Sequence, residues 1–194
     1  MSDPAPPETE GQAAGRRVQR TREAIRAAFN GLLLTRGYDG FSTADIAEAA
    51  NVGRSTFYEH YQGKADVLAT SLIPVLTPLA EACSSPAPHP RVEVVVSHFW
   101  DNRRMAKAMM TGRAQAVMAK QLARLIEDRL TGGDEPAAIP ASLLAVQIAQ
   151  GQLALIGEWL SGRHGCSAAQ IAATLQTTAY AVVTANRVKR DAAK

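Results

Sequence analysis

The sequence predicts an all-α protein of about nine helices, with a three-helix head at the N-terminus and a helical bundle behind it. Three observations carry this. Apolar residues recur at three- and four-residue spacing through most of the 194 residues. Two capping-box patterns, Ser42 with Asp45 and Ser167 with Gln170, open such runs. Short clusters rich in Gly, Pro and Ser punctuate them.

Residues 1–15 are expected to be a disordered tail. Pro4, Pro6 and Pro7, with acidic Asp3, Glu8 and Glu10, leave little to offset the entropy of ordering. From Arg16 to about Arg36, Val18, Ile25, Phe29, Leu32 and Leu33 mark a first helix, which Gly37 ends before the turn at residues 38–40. Arg16, Arg17, Arg20, Arg22, Arg26 and Arg36 face only Glu23 there, a local charge of +5 in a chain whose net charge is +3. Such a stripe suits a phosphate-binding face, or it is a solvated basic face.

The segment from Phe41 to Lys64 is the most informative. Ser42 and Asp45 cap a helix from Thr43, and Phe41 with Ile46 forms a hydrophobic staple. Asn51 tolerates a left-handed backbone and makes the sharp turn, with Val52 plugging the angle. A second short helix runs from Arg54 to about Tyr61. Phe57 and Tyr61, four apart, share its inner face, leaving Arg54, Ser55, Thr56, Tyr58 and His60 on the others. This is a helix–turn–helix with a short, polar, hydrogen-bonding face of the kind that enters a DNA major groove. Lys64 opens the next helix, where an ammonium and backbone N–H groups suit a phosphate.

These residues resemble the DNA-binding domain of tetracycline-repressor-type (TetR) regulators, whose pattern is roughly T-x-x-x-I-A-x-x-A-G-V-S-x-x-T-x-Y-x-x-F-x-x-K. Ser42 stands for the capping Thr, and Ile46, Ala47, Ala50, Val52, Thr56, Tyr58 and Lys64 match. Asn51 replaces the turn Gly, Gly53 the capping Ser, and Tyr61 the usual Phe. The resemblance implies a DNA-binding domain at 16–63 and a ligand-binding and dimerisation domain at 64–188. It implies phosphate contacts from Ser42, Thr43, Tyr58 and Lys64, base contacts from Arg54, Ser55, Thr56 and His60, and a basic arm at Arg16, Arg17 and Arg20.

The fourth helix begins at Lys64, with Val67, Leu68, Leu72, Leu76 and Leu79 as its stripe. Pro74 and Pro78 lie in its path, so it either bends there or ends at Pro74. In the family this helix joins head to body and swings on ligand binding, which makes the two prolines a candidate hinge. A loop at 83–90 follows. Residues 92–110 are helical with a break at 101–103. A helix from Gln115 to Leu130 carries Val117, Met118, Leu122, Leu125 and Ile126, and Arg124 there is spaced to pair with Asp128. After a second loop, at 131–140, come Ala141 to about Leu160 and Ala168 to about Arg187. Both are rich in small residues on more than one face, which suits self-pairing into a two-fold four-helix bundle.

His98, Trp100, Met105, Met109 and Trp159 concentrate aromatic and thioether groups. They line an adaptable ligand pocket or are ordinary core. Arg103, Arg104, Lys107 and Arg113 are a solvated face or attract an anionic ligand.

At 46% apolar, the composition supports a sizeable core. Cys83 and Cys166 fit no metal or redox spacing, no apolar run approaches the ~18 residues of a membrane span, and the N-terminus lacks a secretory pattern. A cytoplasmic protein is expected. The four histidines show no metal-ligand spacing, and G-x-S-x-G, H-E-x-x-H and phosphate-cradling Gly loops are absent, so no enzyme, metal site or cofactor is expected. The functional expectation is a ligand-responsive regulator, by the family's commonest mode a repressor. It binds double-stranded DNA at a palindromic operator as a homodimer through its two C-terminal helices, and a small-molecule effector releases it. The alternative is a small-molecule-binding all-α dimer without operator-specific binding.

Overall fold

A computed structural model describes residues 10–87, 89–132 and 137–187. Among these the chain forms nine α-helices and no strand: α1 (Glu10–Arg36), α2 (Thr43–Ala49), α3 (Arg54–His60), α4 (Lys64–Glu81), α5 (Pro90–Asp101), α6 (Arg103–Met109), α7 (Gly112–Leu130), α8 (Ala141–Leu160) and α9 (Ala168–Ala185). A 3-10 turn, Tyr38–Gly40, links α1 to α2. The chain divides into two compact units, Met1–Val67 and Leu68–Lys194.

Both capping boxes form. The Ser42 hydroxyl accepts from the Asp45 amide while the Asp45 carboxylate accepts from the Ser42 amide, and Ser167 and Gln170 repeat the exchange at α9. Asn51 adopts φ 52°, the left-handed conformation that the turn between α2 and α3 requires. The break after α5 falls at Asn102, whose amide bonds back to the His98 carbonyl.

The structure departs from the sequence expectation at several ends. α1 begins at Glu10, not Arg16, because helix propensity through Gln12, Ala13 and Ala14 extends it; residues 1–9 of the expected tail lie outside the described residues. α7 begins at Gly112, ahead of Gln115. α4 runs unbroken through both Pro74 and Pro78, so Pro74 does not end it. α9 stops at Ala185, and Arg187 makes an isolated antiparallel bridge to Ala137.

In the head, Ile25, Phe29 and Leu33 of α1 are buried with Phe41, Ile46, Ala47, Phe57 and Tyr61. Phe29, Tyr38 and Phe41 meet edge-to-face, with centroids 5.5–6.3 Å apart. In the body, α7 packs on α8, and α9 on α5 and α8. Met118, Leu122 and Ile126 of α7 and Leu144, Ala145 and Ile156 of α8 are among its fully buried side chains. α8 is 20 residues long with a mean hydropathy of 1.2, enough by length and composition to cross a membrane. That corrects the expectation that no run qualifies. Half of it is buried in the body's own core, which accounts for the apolar character.

Candidate nucleic-acid interface

The second helix of the helix–turn–helix is set by its two ends. Val52 N–H donates to the Ala47 carbonyl at 2.9 Å and closes the turn. Gly53 then caps α3 with no side-chain bond, its carbonyl accepting from Phe57 N–H at 2.9 Å. Phe57 is fully buried and Tyr61 nearly so, which fixes the rotation of α3. Its other side carries Arg54, Ser55 and Tyr58 exposed, with Thr56 and His60 partly so. Tyr58 keeps 59% of its surface accessible, with its ring edge-on to Phe57.

Ser42, Thr43, Ala44 and Ala47 of α2 face Arg54, Phe57 and Tyr58 across a groove of about 320 Å³. The geometry thus gathers Ser42, Thr43, Arg54 and Tyr58 around one groove, with Ser55 on the exposed side of α3. It offers hydroxyl donors, one guanidinium and a helix N-terminus to anionic and acceptor groups. The Ser42 hydroxyl and amide hold the Asp45 carboxyl below the usual carboxylate range, helped by Arg36 at 3.1 Å. Arg16, Arg17 and Arg20 lie exposed along α1, N-terminal to its first buried residue, Ile25.

Lys64 differs from its expected place at a phosphate. Its ammonium donates to the carbonyl oxygens of Tyr38 and Phe41, both at 2.7 Å. It also lies 4.6 and 4.9 Å from the centroids of their rings. A cation held by two carbonyls and two ring faces braces the turn before α2. The sequence motif marks the lysine but gives no sign of this cradle, which exists only once α1, the turn and α4 meet.

In the body, the five candidate pocket residues have different surroundings. Trp159 is buried, its indole N–H donating to the Cys166 carbonyl at 2.8 Å, and its ring lies 4.7 Å from that of Trp100. The Arg103 guanidinium covers the Trp100 ring at 4.6 Å and reaches the Leu160 carbonyl at 3.4 Å. Met105 and Met109 are half-buried on α6. His98 is exposed in a surface groove with Glu93, Val94 and Asp101. A larger groove, about 740 Å³ between α7 and α8, holds none of the five. The sequence hides it because it depends on which faces of α7 and α8 meet. Among the described residues, no cluster of three or more His, Cys, Asp or Glu side chains could hold a metal.

Comparison with known proteins agrees with this geometry. Residues 25–70 match the family described as bacterial regulatory proteins, tetR family, a span that takes in the buried side of α1 and all of α2 and α3. Residues 25–70 are a TetR-type head. An uncharacterized HTH-type transcriptional regulator, YxbF of Bacillus subtilis (strain 168), is 43% identical over 58 residues. That stretch is 29% of this chain and 15% of the curated relative, so the chain spans a small part of that protein's length. Among solved structures, a TetR transcriptional regulator from Streptococcus agalactiae 2603V aligns over 88% of this chain and 99% of its own, at 22% identity and a TM-score of 0.57. A TetR-family regulator from Streptomyces coelicolor A3 aligns over 86% of this chain and 96% of its own, at 24% identity and a TM-score of 0.56. At those identities the two structures speak for the all-α fold. A head of this type is the helix–turn–helix unit of DNA-binding transcriptional regulators.

Proposed function

We propose that this TetR-type chain is a cytoplasmic, ligand-responsive repressor, without catalysis, that grips a palindromic operator as a homodimer. The single observation that supports it best is the rotation of α3: Phe57 is fully buried while Arg54, Ser55 and Tyr58 stand exposed. A protein that kept this helix only for packing has no need of a short, polar, hydrogen-bonding outer face. In this reading Arg54, Ser55, Thr56 and His60 read base edges, with Arg54 on guanine. Ser42, Thr43, Tyr58 and the backbone at the start of α4 take phosphates, and Arg16, Arg17 and Arg20 add backbone contacts. Lys64 supports the phosphate face from behind.

The dimer forms through α8 and α9, so that two α3 helices meet half-sites about one DNA turn apart (~34 Å) or somewhat more. The exposed Leu143 and Val146 of α8, and the Ala and Thr residues along the outer face of α9, support that pairing. The effector enters near the α5–α6 junction, where Trp100, Met105 and Met109 are half-buried, with Trp159 behind Trp100 and His98 outside. It releases the DNA by binding one head spacing better than the other, with α4 bending at Pro74–Pro78.

The test is a gel shift of the purified protein on DNA fragments it selects, across a salt series. Specific binding falling steeply with salt supports the reading. Arg54→Ala should cost roughly 1–3 kcal/mol and relax sequence preference. If Arg54→Ala left sequence preference untouched, the assignment of α3 as reader would fall.

A further inference from the structure

We propose that Glu59 is a specificity residue of the α3 face: its carboxylate accepts from the exocyclic amine of one cytosine in each half-site, and its charge bars guanine and thymine there. This deepens the function proposed above and rests on α3 being the reader.

The place of Glu59 on the helix is fixed by its neighbours. Phe57 is fully buried and Tyr61 is 5% exposed, and together they set the inner side of α3. Glu59 stands two residues from each, so at about 3.6 residues per turn it lies nearly opposite both. Ser55 lies one turn before it on the same side. Both are exposed, while Thr56 and His60 are partly covered. Arg54 and Tyr58 line instead the groove toward α2, with Ser42 and Thr43. Glu59 is therefore among the outermost side chains of the helix.

A carboxylate on a face that meets DNA is repelled by the phosphates it approaches, which costs affinity for all sequences alike. Among the described residues, the Glu59 carboxylate has no ion pair or side-chain hydrogen bond to neutralise it. Its charge is useful only against a donor, because an ionised carboxylate has acceptors alone. In the major groove guanine presents acceptors at N7 and O6, and thymine an acceptor at O4. Adenine sets its N6 donor beside the N7 acceptor, whereas cytosine presents its N4 donor with no acceptor on the same edge. Glu59 therefore selects cytosine, and the repulsion that weakens binding elsewhere sharpens the choice. Glu59 lies five residues, roughly 7–8 Å, beyond Arg54 along α3. That is about two base steps, so each half-site carries a guanine for Arg54 and a cytosine about two base pairs from it.

The test is selection of DNA fragments from a random pool by the full chain, followed by gel shifts on the selected duplex with each base pair replaced in turn. The unmodified chain, Glu59→Ala, Glu59→Gln and Arg54→Ala are compared, and circular dichroism checks that the variants keep their helices. In the unmodified chain, replacing the cytosine by thymine should weaken binding about tenfold or more. Glu59→Ala should flatten the preference at that base pair to within about twofold. It should leave the other positions as they were and bind unrelated DNA more tightly. Glu59→Gln gains a donor and should admit adenine there. A Glu59→Ala protein that binds every sequence more tightly by one factor, with its position-by-position preference unmoved, overturns the inference: the carboxylate is then only a solvated charge. If Arg54→Ala relaxes preference at its own position while the Glu59 variants change none, α3 stands as the reader and the inference falls. An unmodified chain that selects no sequence removes both.

Discussion

Gln152 of α8 donates its side-chain amide to the carbonyl oxygen of Leu79, in the last turn of α4, across 3.1 Å. The bond answers a local need. Near the end of α4 the chain turns so that Cys83 N–H bonds to Ala80, leaving the Leu79 carbonyl without that helical donor. Gln176 of α9 serves Ala87 in the following loop at 3.1 Å. These are the two buried polar side chains of the described core, each 3% exposed. Glu81 completes the arrangement, paired with Arg91 at 2.8 Å and Arg129 at 3.5 Å. The end of α4 is thus fixed by α5, α7 and α8, and the loop after it by α9.

Gln152→Glu tests that pin with little change of shape. A buried carboxylate can no longer donate to Leu79, and its charge is poorly hydrated. Burial raises the folded-state pKa of such a group, so its cost is small at acid pH and grows as pH rises through that value. The variant should lose roughly 2–4 kcal/mol near pH 7 and recover much of it near pH 4. Urea unfolding at the two pH values measures the difference, and an equal loss at both would mean the site is wet.

The Lys64 cradle makes a prediction separable from DNA binding. Lys64→Ala removes two charged hydrogen bonds and two ring contacts. The partly exposed site moderates the cost to roughly 2 kcal/mol, or a fall in Tm of about 4–8 °C for a chain of this size. Thermal unfolding without DNA is the measurement. A phosphate contact alone would lower operator affinity and leave that Tm where it was.

Much of the head is legible in the sequence because its signals are local. The Ser42–Asp45 box, the left-handed Asn51 and the Phe57–Tyr61 spacing each specify backbone within a few residues, and all three appear as expected. The Lys64 cradle is not legible, since Tyr38 and Phe41 lie 26 and 23 residues away along the chain. In the body the helices are legible and their contacts are not: Trp100 and Trp159 meet at 4.7 Å, while His98 faces outward on the same helix as Trp100. Periodicity tells which residues share a face; it does not tell which faces meet.

The capping box at α2 should make the head acid-sensitive in a defined direction. Asp45 has a depressed pKa, first through the Ser42 hydroxyl and amide and then through Arg36. Its contribution is therefore present above the ordinary carboxylate range and is lost as pH falls through the lowered value. Ser42→Ala should cost about 1 kcal/mol at neutral pH and flatten the acid limb of the stability curve. Urea midpoints between pH 2 and 6 (about the range in which an Asp titrates) compare the two proteins. An unchanged acid limb would remove Asp45 as its source.

The α5–α6 junction reports on itself, because both tryptophans of the chain lie there, 4.7 Å apart. Gly162, just past the end of α8, holds φ 80°, and a Cβ at that position would stand 2.9 Å from Nη2 of Arg103. Gly162→Ala therefore asks a non-glycine residue to adopt left-handed backbone and displaces the guanidinium from the Leu160 carbonyl. The Arg103 side chain is flexible and can yield, so the backbone dominates the cost, about 1–2 kcal/mol. Displacing Arg103 also uncovers the Trp100 ring, so the tryptophan emission should shift to longer wavelength in the folded variant. Arg103→Ala should reproduce the spectral shift with no backbone strain. A Gly162→Ala protein with unmodified emission and stability would show that the turn after Leu160 is freer than its geometry implies.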